Sequence, residues 1–422
     1  MLRSGYGIAY DEPLPGALIF SGNPPFGFPA SFTSSKAKPF TSFGTLLTDA
    51  AGSGLSPATV DPNFNDAYVQ SYNLNIQQQI TPSTGLMVGY FGSKGTHLET
   101  DLNLNQIGAS GVAGVRPFPA LSPSSPIIPV TPAGVPVTTL GNITDRTSIG
   151  TSNYNALWVT GTKHFSKGFE FNANYTWSKS LDEVSQNFQG VRVQDSTNPF
   201  ADYGPSDFDA RNHFTFSGIY DLPFSGNRFK SGWRVGTIVQ LQSGNPLNII
   251  SGSSTAAGAS SIAGFTGVGT IRPNLVGPLP SVGRTIISAG PSSGQIQYFS
   301  APVCDPSNAA KNCPAGAIFA IPVTLVNGKA VYSFGDLGRN AVVGPGFEDV
   351  DFSLTKTTKI TERISNEFRV EAFDLLNHAD FANPNTTANA GISQFGIIRA
   401  TRNPTGDAGS SRQLQFALKF IF

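Results

Sequence analysis

The stretch SRQLQFALKFIF, residues 411–422, decides how the rest of the chain is interpreted. A strict period of two predicts a β-strand that is apolar on one side and polar on the other. The stretch is long for a soluble strand, but it matches a tilted strand that crosses a membrane, which needs about 9–11 residues. By itself the pattern leaves two alternatives, the last strand of an outer-membrane barrel or of a soluble β-sandwich. The apolar face holds Leu414, Phe416, Leu418, Phe420 and Phe422, and the other holds Gln413, Gln415, Ala417 and Lys419.

The composition narrows the class of protein. Charged residues make up 13% of the chain, about half the share in soluble domains, and the net charge is +0. A neutral chain has no overall basic character to favour nucleic acid or anionic lipid. The 46 Gly and 31 Pro favour turns and long loops. The sequence contains no run of 18 apolar residues, so it does not predict a helical membrane span.

The first residues, MLRSGYGIAYDE, lack the apolar core of a signal peptide. An exported protein needs such a signal. We therefore expect the chain to be the C-terminal part of a longer protein or a truncated reading frame.

Nine further segments repeat the alternation and raise the predicted number of strands to ten. An even number is what bacterial barrels require. These segments are residues 2–10, 69–80, 86–98, 154–164, 169–178, 213–222, 233–243, 349–359 and 364–376.

The connections between these segments alternate strictly between long and short. The short ones are TPSTG, FSKG, PFSGNRFKSG and ITER. Outer-membrane barrels have short periplasmic turns and long extracellular loops, whereas a Greek-key sandwich has no reason to follow this rule. The sequence therefore predicts an all-β, antiparallel up-and-down transmembrane β-barrel of about ten strands, which forms part of a larger barrel or, alternatively, closes on itself. The predicted outer loops are residues 11–68, 99–153, 179–212, 244–348 and 377–410.

The longest of these loops contains the low-complexity run SGSSTAAGASSIAGFTGVGT, residues 251–270, which reads as flexible. Short β-hairpins elsewhere in the loop remain compatible with the sequence.

Charged residues support the predicted faces of the strands. Lys163 and Lys356 fall on the lipid-facing register, close enough to the inner strand ends to snorkel. The ladder of Glu367, Arg369 and Glu371 has two interpretations, ion pairs that hold strands and a plug, or contact with a ligand. The predicted lumen-lining charges are Glu170, Arg234, Glu367, Arg369, Glu371 and Lys419.

Several stretches resemble the barrel of TonB-dependent receptors, and among these the Oar-like transporters. The resemblance runs almost from end to end. The stretches are RSGYGIAYDE, QSYNLNIQQQITPSTGLMVGYFGSKGTHL, NYNALWVTGTKHFSKGFEFNANYTWSKSLDE, SDFDARNHFTFSGIYDLPF, LQSGNPLNI, FGDLGRNAVVGPGFEDVDFSLTK and FRVEAFDLLNHADFANPN.

The resemblance implies an outer-membrane receptor that takes up a bulky nutrient by loop capture and TonB-dependent gating. Members of that family have about 22 strands, an N-terminal plug and a TonB box, and this sequence shows neither of the last two. It also implies three partners: outer-membrane lipid, the barrel assembly machinery through the C-terminal Phe422, and TonB if a plug lies upstream. The alternatives are a structural or adhesive surface protein and a truncated fragment that does not transport.

Two cysteines, Cys304 and Cys313, lie in the stretch CDPSNAAKNC of the longest loop. Exported proteins fold in an oxidising compartment, so we predict a disulfide. Without a nearby histidine, the pair does not favour a zinc site.

No residue set favours catalysis, and we predict that the chain is not an enzyme and binds no cofactor. The four histidines are scattered near strand ends. Calcium in the loop after residue 194 is conceivable, but its aspartates lack the spacing of an EF-hand and are explained equally well by Asx-turns. The histidines are His97, His164, His213 and His378, and the aspartates are Asp195, Asp202, Asp207 and Asp209.

Overall fold

The fold is described from a computed structural model. Within the described residues, no helix is long and apolar enough to cross a membrane. A single turn of 3-10 helix covers Pro199–Asp202. The described residues are 1–11, 55–107, 115–125, 128, 136, 138–185, 191, 193–251, 271–288, 292–306, 313–327, 329–388, 394–402 and 411–422.

Ten long strands form one antiparallel sheet, and each strand pairs with its neighbours in the sequence. This order confirms the predicted all-β, up-and-down fold. The strands are β1 Leu2–Asp11, β2 Ala67–Thr81, β3 Thr84–Asn103, β4 Thr144–Ser166, β5 Phe169–Asp182, β6 Asn212–Asp221, β7 Trp233–Gln242, β8 Phe347–Lys359, β9 Ser365–Phe373 and β10 Gln413–Ile421.

Because neighbouring strands run in opposite directions, all the long connections lie at one end of the sheet, the loop end. The short connections lie at the other, the turn end. The turn between β4 and β5 has Lys167 and Gly168 at φ 53° and 78°. Two successive residues with positive φ match the hairpin turn whose twist suits paired strands.

The register places the alternating residues on two faces, as predicted. Val159 of β4 lies between Val88 and Tyr175, whereas its neighbour Thr160 lies between Met87 and Asn174. Apolar residues of the first face remain exposed, including Leu74 at 45% and Phe416 at 64%. The sheet therefore directs its apolar side chains outward, as a membrane-crossing sheet must, instead of burying them.

The sheet is open. β1 pairs only with β2, and β10 pairs only with β9, so the structure does not close ten strands into a barrel. Every residue of β1 is exposed, and so are nearly all residues of β10.

Two of the predicted outer loops have wrong bounds. β3 continues to Asn103, β4 begins at Thr144, and β5 ends at Asp182, so predicted loops 99–153 and 179–212 include strand residues. These extensions carry polar side chains on both faces, which hides the alternation. Thr100 and Thr147, which are register partners in these extensions, are nonetheless 4% and 2% exposed.

The long connections contain their own structure. We call the described residues of 243–346 and 374–402 the cap. Low-complexity residues 252–270, which were predicted to be flexible, lie outside the described residues. The short strands are Ala58–Val60, Gly204–Pro205, Pro246–Leu247, Ile250–Ser251, Asn274–Leu275, Thr285–Ile286, Ile296–Gln297, Val303–Cys304, Phe319–Ala320, Val323–Val326, Lys329–Tyr332, Val342–Val343, Thr387–Ala388 and Ile397–Ile398.

The cap holds the main hydrophobic core among the described residues. Phe319 and Ala388 are 0% exposed, and the ring centroids of Phe299 and Phe395 lie 5.1 Å apart. The two connections that form the cap are joined by strand pairing, since Ile250 pairs with Thr387 and Ile296 with Ile398.

Candidate functional site

The six charged residues that were predicted to line a lumen all occupy one face of the sheet. Three of them form the predicted ladder on β9. Arg369 Nη2 donates to Glu367 Oε1 at 2.8 Å, and its Nη1 lies 3.5 Å from Glu371 Oε1. Lys419 of β10 lies opposite Glu367 in the register. That this face lines a water-filled lumen stays a prediction.

The remaining two residues lie apart from the ladder. Arg234 forms a two-pronged ion pair with Asp221, with Nη2 3.1 Å from Oδ2. Asp221 ends its strand and had no assigned role, although its position before a short turn could have suggested a partner across the hairpin. Glu170 lies farther along the polar face, on β5.

A cavity of about 490 Å³ opens on this polar face towards the turn end. Glu170, Ile219, Gly236, Ser353 and Glu371 line it and are successive register partners across five strands. Gly236 leaves space at the base of the cavity, because a Cβ there would lie 2.6 Å from Ser353 Oγ. The cavity therefore brings two predicted residues, Glu170 and Glu371, to one acidic surface.

A second cavity of about 400 Å³ lies on the same face towards the loop end. Tyr154, Thr176, His213 and Gln242 line it from the sheet, and Phe208 from the connection between β5 and β6. Its lining combines aromatic rings and hydrogen-bonding groups with one carboxylate, Asp209. Such a surface can bind a polar ligand by stacking and hydrogen bonds.

The cap is fixed to the loop end of the sheet by a buried arginine. Arg339 pairs with the carboxylate of Asp182 at the end of β5, and their side chains are 7% and 6% exposed. It also donates to Asp202 O at 3.0 Å and lies 3.1 Å from Asp207 Oδ1. Ser185 Oγ, at 3.3 Å, completes its surroundings.

A second buried arginine strengthens the same junction. Arg272 Nη2 donates to Asp202 Oδ1 at 2.7 Å, with both side chains at most 3% exposed. Gln194 receives the backbone N–H of Arg272 at 2.6 Å and donates to Gly335 O at 2.9 Å. Three stretches that are far apart in the sequence thus meet at one polar, buried junction. They are SKSLDE, SDFDARN and FGDLGRN.

Comparison with family models matches residues 1–415 to the outer membrane beta barrel domain. The chain belongs to the outer membrane beta barrel domain family. It is accordingly a bacterial outer-membrane protein. That the outward apolar face of its sheet meets lipid stays a prediction. No curated protein sequence matches the chain.

Solved structures that are similar to this outer membrane beta barrel domain include the following three. The outer membrane transporter YddB from Escherichia coli matches at 9% identity and a TM-score of 0.39, covering 87% of this chain and 34% of that chain. The siderophore receptor PiuA from Acinetobacter baumannii matches at 8% and 0.38, covering 100% and 33%. The ferric-catecholate import receptor Fiu from E. coli K12 matches at 8% and 0.37, covering 100% and 32%. The chain spans about a third of the length of these structures.

The aspartates that were considered for calcium are held by protein donors in the barrel domain. Asp202 and Asp207 pair with the arginines described above. Asp209 Oδ1 accepts the backbone N–H of Ser180 at 2.7 Å, and Asp195 Oδ1 accepts the side chain of Gln106 at 2.9 Å. Within the described residues, no group of three or more His, Cys, Asp or Glu could hold a metal ion.

The structure joins Cys304 and Cys313 as a disulfide within the cap, with Cα atoms 4.2 Å apart. Cys304 lies in the strand Val303–Cys304, which pairs with the fully buried Phe319. The disulfide would therefore brace the edge of the cap core, and its presence in the protein stays a prediction.

The histidines have no assigned chemical role here. His97 packs edge-on against Tyr68 at 5.6 Å, and His378 Nδ1 lies 3.7 Å from Asp380 Oδ1.

Residues 290–294, GPSSG, match the G-x-S-x-G spacing of hydrolases, which sequence reasoning missed. A nucleophile elbow needs a strand-to-helix turn, whereas Ser292 precedes the strand Ile296–Gln297.

Proposed function

We propose that this barrel domain is the receptor part of an outer-membrane transporter that captures a bulky nutrient with its long loops. The observation that carries the proposal is the cap: its connections are packed around a core and held by buried arginines. A loop that is already ordered loses less conformational entropy when it binds a ligand, which favours capture.

The proposal requires a path for the ligand beyond the cap, and two cavities on the polar face of the sheet support such a path. The aromatic cavity lies near the cap, and the acidic cavity lies towards the turn end. A ligand released by the cap would meet the aromatic cavity before the acidic one. The proposed gating by TonB rests on the resemblance of the sequence stretches and requires a plug.

Uptake in cells that carry the intact gene tests this function. Radiolabelled cobalamin, ferric siderophores and oligosaccharides serve as probes, each with and without a protonophore that removes the energy used by TonB. We expect energy-dependent uptake of at least one probe, lost when the gene is deleted. Equal uptake with and without the gene for every probe would argue against a transporter.

Transport through this sheet also requires partners for its two unpaired edges, since unpaired backbone groups are not tolerated in hydrocarbon. Cysteines at Ser4 of β1 and Leu418 of β10 test how the edges are satisfied. A crosslink within one chain indicates closure of ten strands, and a crosslink between chains indicates a pair of sheets. The absence of both, with the edges protected from exchange, indicates added strands and keeps the proposal of a larger barrel.

We also propose that Phe422 is read by the barrel assembly machinery. Its side chain is 90% exposed at the end of the free edge strand β10. Phe422→Ala should slow insertion in cells and leave insertion from detergent unchanged. A variant that inserts at the normal rate in cells would remove this role.

An adhesive surface protein is the second candidate. It is favoured by apolar side chains that remain exposed in the long connections, such as Phe208 at 63% and Ile286 at 71%. Binding of whole cells to a substratum, with no uptake of any probe, would select this alternative.

A further inference from the structure

The connection between β6 and β7, residues 222–232, is a small built structure at the turn end. Asn227 accepts the backbone N–H groups of Lys230 at 3.0 Å and Ser231 at 3.2 Å. The indole of Trp233 donates to Phe229 O at 3.2 Å. These bonds fix the connection even though its side chains are exposed.

The connection encloses a cavity of about 520 Å³. Phe229 and Phe224 are 80% and 56% exposed, so their rings stand out from the protein around this space. No hydrogen bond or ion pair of the Lys230 side chain occurs within the described part of the chain, which leaves its ammonium available. The lining is Pro223, Phe224, Ser225, Phe229, Lys230 and Trp233.

The cavity lies on the lipid side of the sheet. Trp233 begins β7 and shares its face with Val235 and Val239, which belong to the apolar band. Lys356 lies opposite Trp233 in the register, with its ammonium 5.5 Å from the centre of the ring. It donates to Arg228 O at 2.8 Å and to Ser231 O, so it orients the connection while adding positive charge.

The turn end as a whole is basic, although the chain has a net charge of +0. The four short turns carry Lys167, Arg228, Lys230 and Arg363 against one carboxylate, Glu362. Charge of one sign at a membrane surface attracts lipids with headgroups of the opposite sign.

We propose that this cavity binds the headgroup of an anionic phospholipid in the membrane leaflet at the turn end. The ammonium of Lys230 contacts the phosphate, and the rings of Phe224, Phe229 and Trp233 pack against the glycerol and the first methylenes of the acyl chains. Charge complementarity and the position on the lipid face decide the occupant. The proposal is independent of transport.

Quenching of Trp233 tests the proposal in the full chain reconstituted in vesicles. Trp158 and Trp177 are replaced by Phe so that Trp233 is the only tryptophan that reports. Brominated phosphatidylglycerol is titrated into unbrominated phosphatidylcholine, and the reverse titration uses brominated phosphatidylcholine. We expect phosphatidylglycerol to quench at a mole fraction several-fold lower.

Two charge variants locate the preference. Lys230→Gln should reduce the preference for phosphatidylglycerol about fivefold, the effect of one basic residue at a membrane surface. Lys359→Gln removes an equal charge at the same end but on the polar face, and should leave the preference unchanged. Equal loss in both variants would mean general surface attraction and would overturn a specific site.

Two further measurements close the remaining alternatives. Phe229→Ala should weaken quenching by both lipids, because it removes packing without removing charge. Inorganic phosphate should not displace the lipid, since it lacks the apolar part. Displacement by phosphate, or equal quenching by the two brominated lipids in the parent chain, would overturn the proposal. Heat-modifiable migration on gels checks that each variant is folded.

Discussion

The sheet leaves its apolar side chains exposed, whereas the cap buries them. In the sheet, Phe416 is 64% exposed and Leu414 is 60% exposed, so the described part of the chain leaves these apolar side chains uncovered. In the cap, Phe319 is 0% exposed and Ile249 is 1% exposed, so apolar side chains cover each other. One chain thus combines an outer-membrane sheet with a small hydrophobic core that is formed by its long connections.

The difference means that the two regions should respond to different perturbations. The sheet is stabilised by backbone hydrogen bonds between strands and by lipid around them. The cap is stabilised by burial and by ion pairs that water cannot reach.

Arg339→Met should have the largest effect, about 3–5 kcal/mol on the stability of the cap, because it leaves Asp182 buried without its partner. The matched variant, Arg234→Met, breaks the ion pair with Asp221, whose side chains are 50% and 38% exposed. That loss should cost about 1 kcal/mol or less. Hydrogen exchange in detergent measures both, at cap amides for Arg339→Met and at amides of β6 and β7 for Arg234→Met. Equal loss of protection in the two variants would contradict the contrast.

Val159→Arg should cost about 2–4 kcal/mol, because a charge would face lipid near the middle of β4. Thr160→Arg is its control on the polar face and should cost only about 1 kcal/mol, mainly the hydrogen bond of Thr160 Oγ1 to Asn174 at 2.9 Å. Denaturant-dependent folding into vesicles gives both values. If Thr160→Arg proved the worse of the two, the assignment of the faces would be reversed.

Replacing both cysteines, with Cys304→Ser and Cys313→Ser, should cost the cap about 2–3 kcal/mol, the value for closing so short a loop. The folding of the sheet should not change. Alkylation of the denatured protein without reductant checks the pair first. Rapid labelling of both sulfurs in protein from the cell surface would show that the disulfide does not form.

Asp380→Asn should have the smallest effect, and its effect should depend on pH. Burial raises the pKa of the Asp380 carboxyl, although the backbone N–H of Glu348 and the nearby His378 lower it in part. As the pH falls, the folded state therefore binds this proton before the unfolded state does, and cap stability rises through the raised pKa until about pH 4.

The asparagine variant removes this titration and keeps an oxygen for the N–H of Glu348, which is 2.9 Å away. Cap exchange rates of the two proteins should therefore differ at pH 7 and converge near pH 4. A difference that does not change between these pH values would assign the effect to packing instead.

The sheet could be predicted from the sequence because the alternation within each strand shows which of its residues share a face. Phe169 to Trp177 alternates without a break, and the structure places those residues as the pattern predicts. The prediction failed at the extensions of β3 and β4, where Thr100 and Thr147 are buried although they are polar. Polar residues in such places give no period to detect.

The candidate site divides in the same way. The ladder of Glu367, Arg369 and Glu371 lies on one strand at a spacing of two, so its shared face was predictable. The partner of Arg234 and the two cavities depend on which strands are neighbours and on their register. The anchoring of Asp202 by Arg272 and of Asp182 by Arg339 joins residues 70 and 157 positions apart.

The sequence by itself determined that this is an outer-membrane sheet with long connections at one end, because alternation and connection length are local properties. Only the tertiary structure decided that those connections fold into a cap with a hydrophobic core. That core gathers Leu247, Phe319 and Phe395 from distant segments without any period. The physical reason is that a strand meets the same solvent on each face along its length, whereas a residue of the cap meets whatever the rest of the chain brings to it.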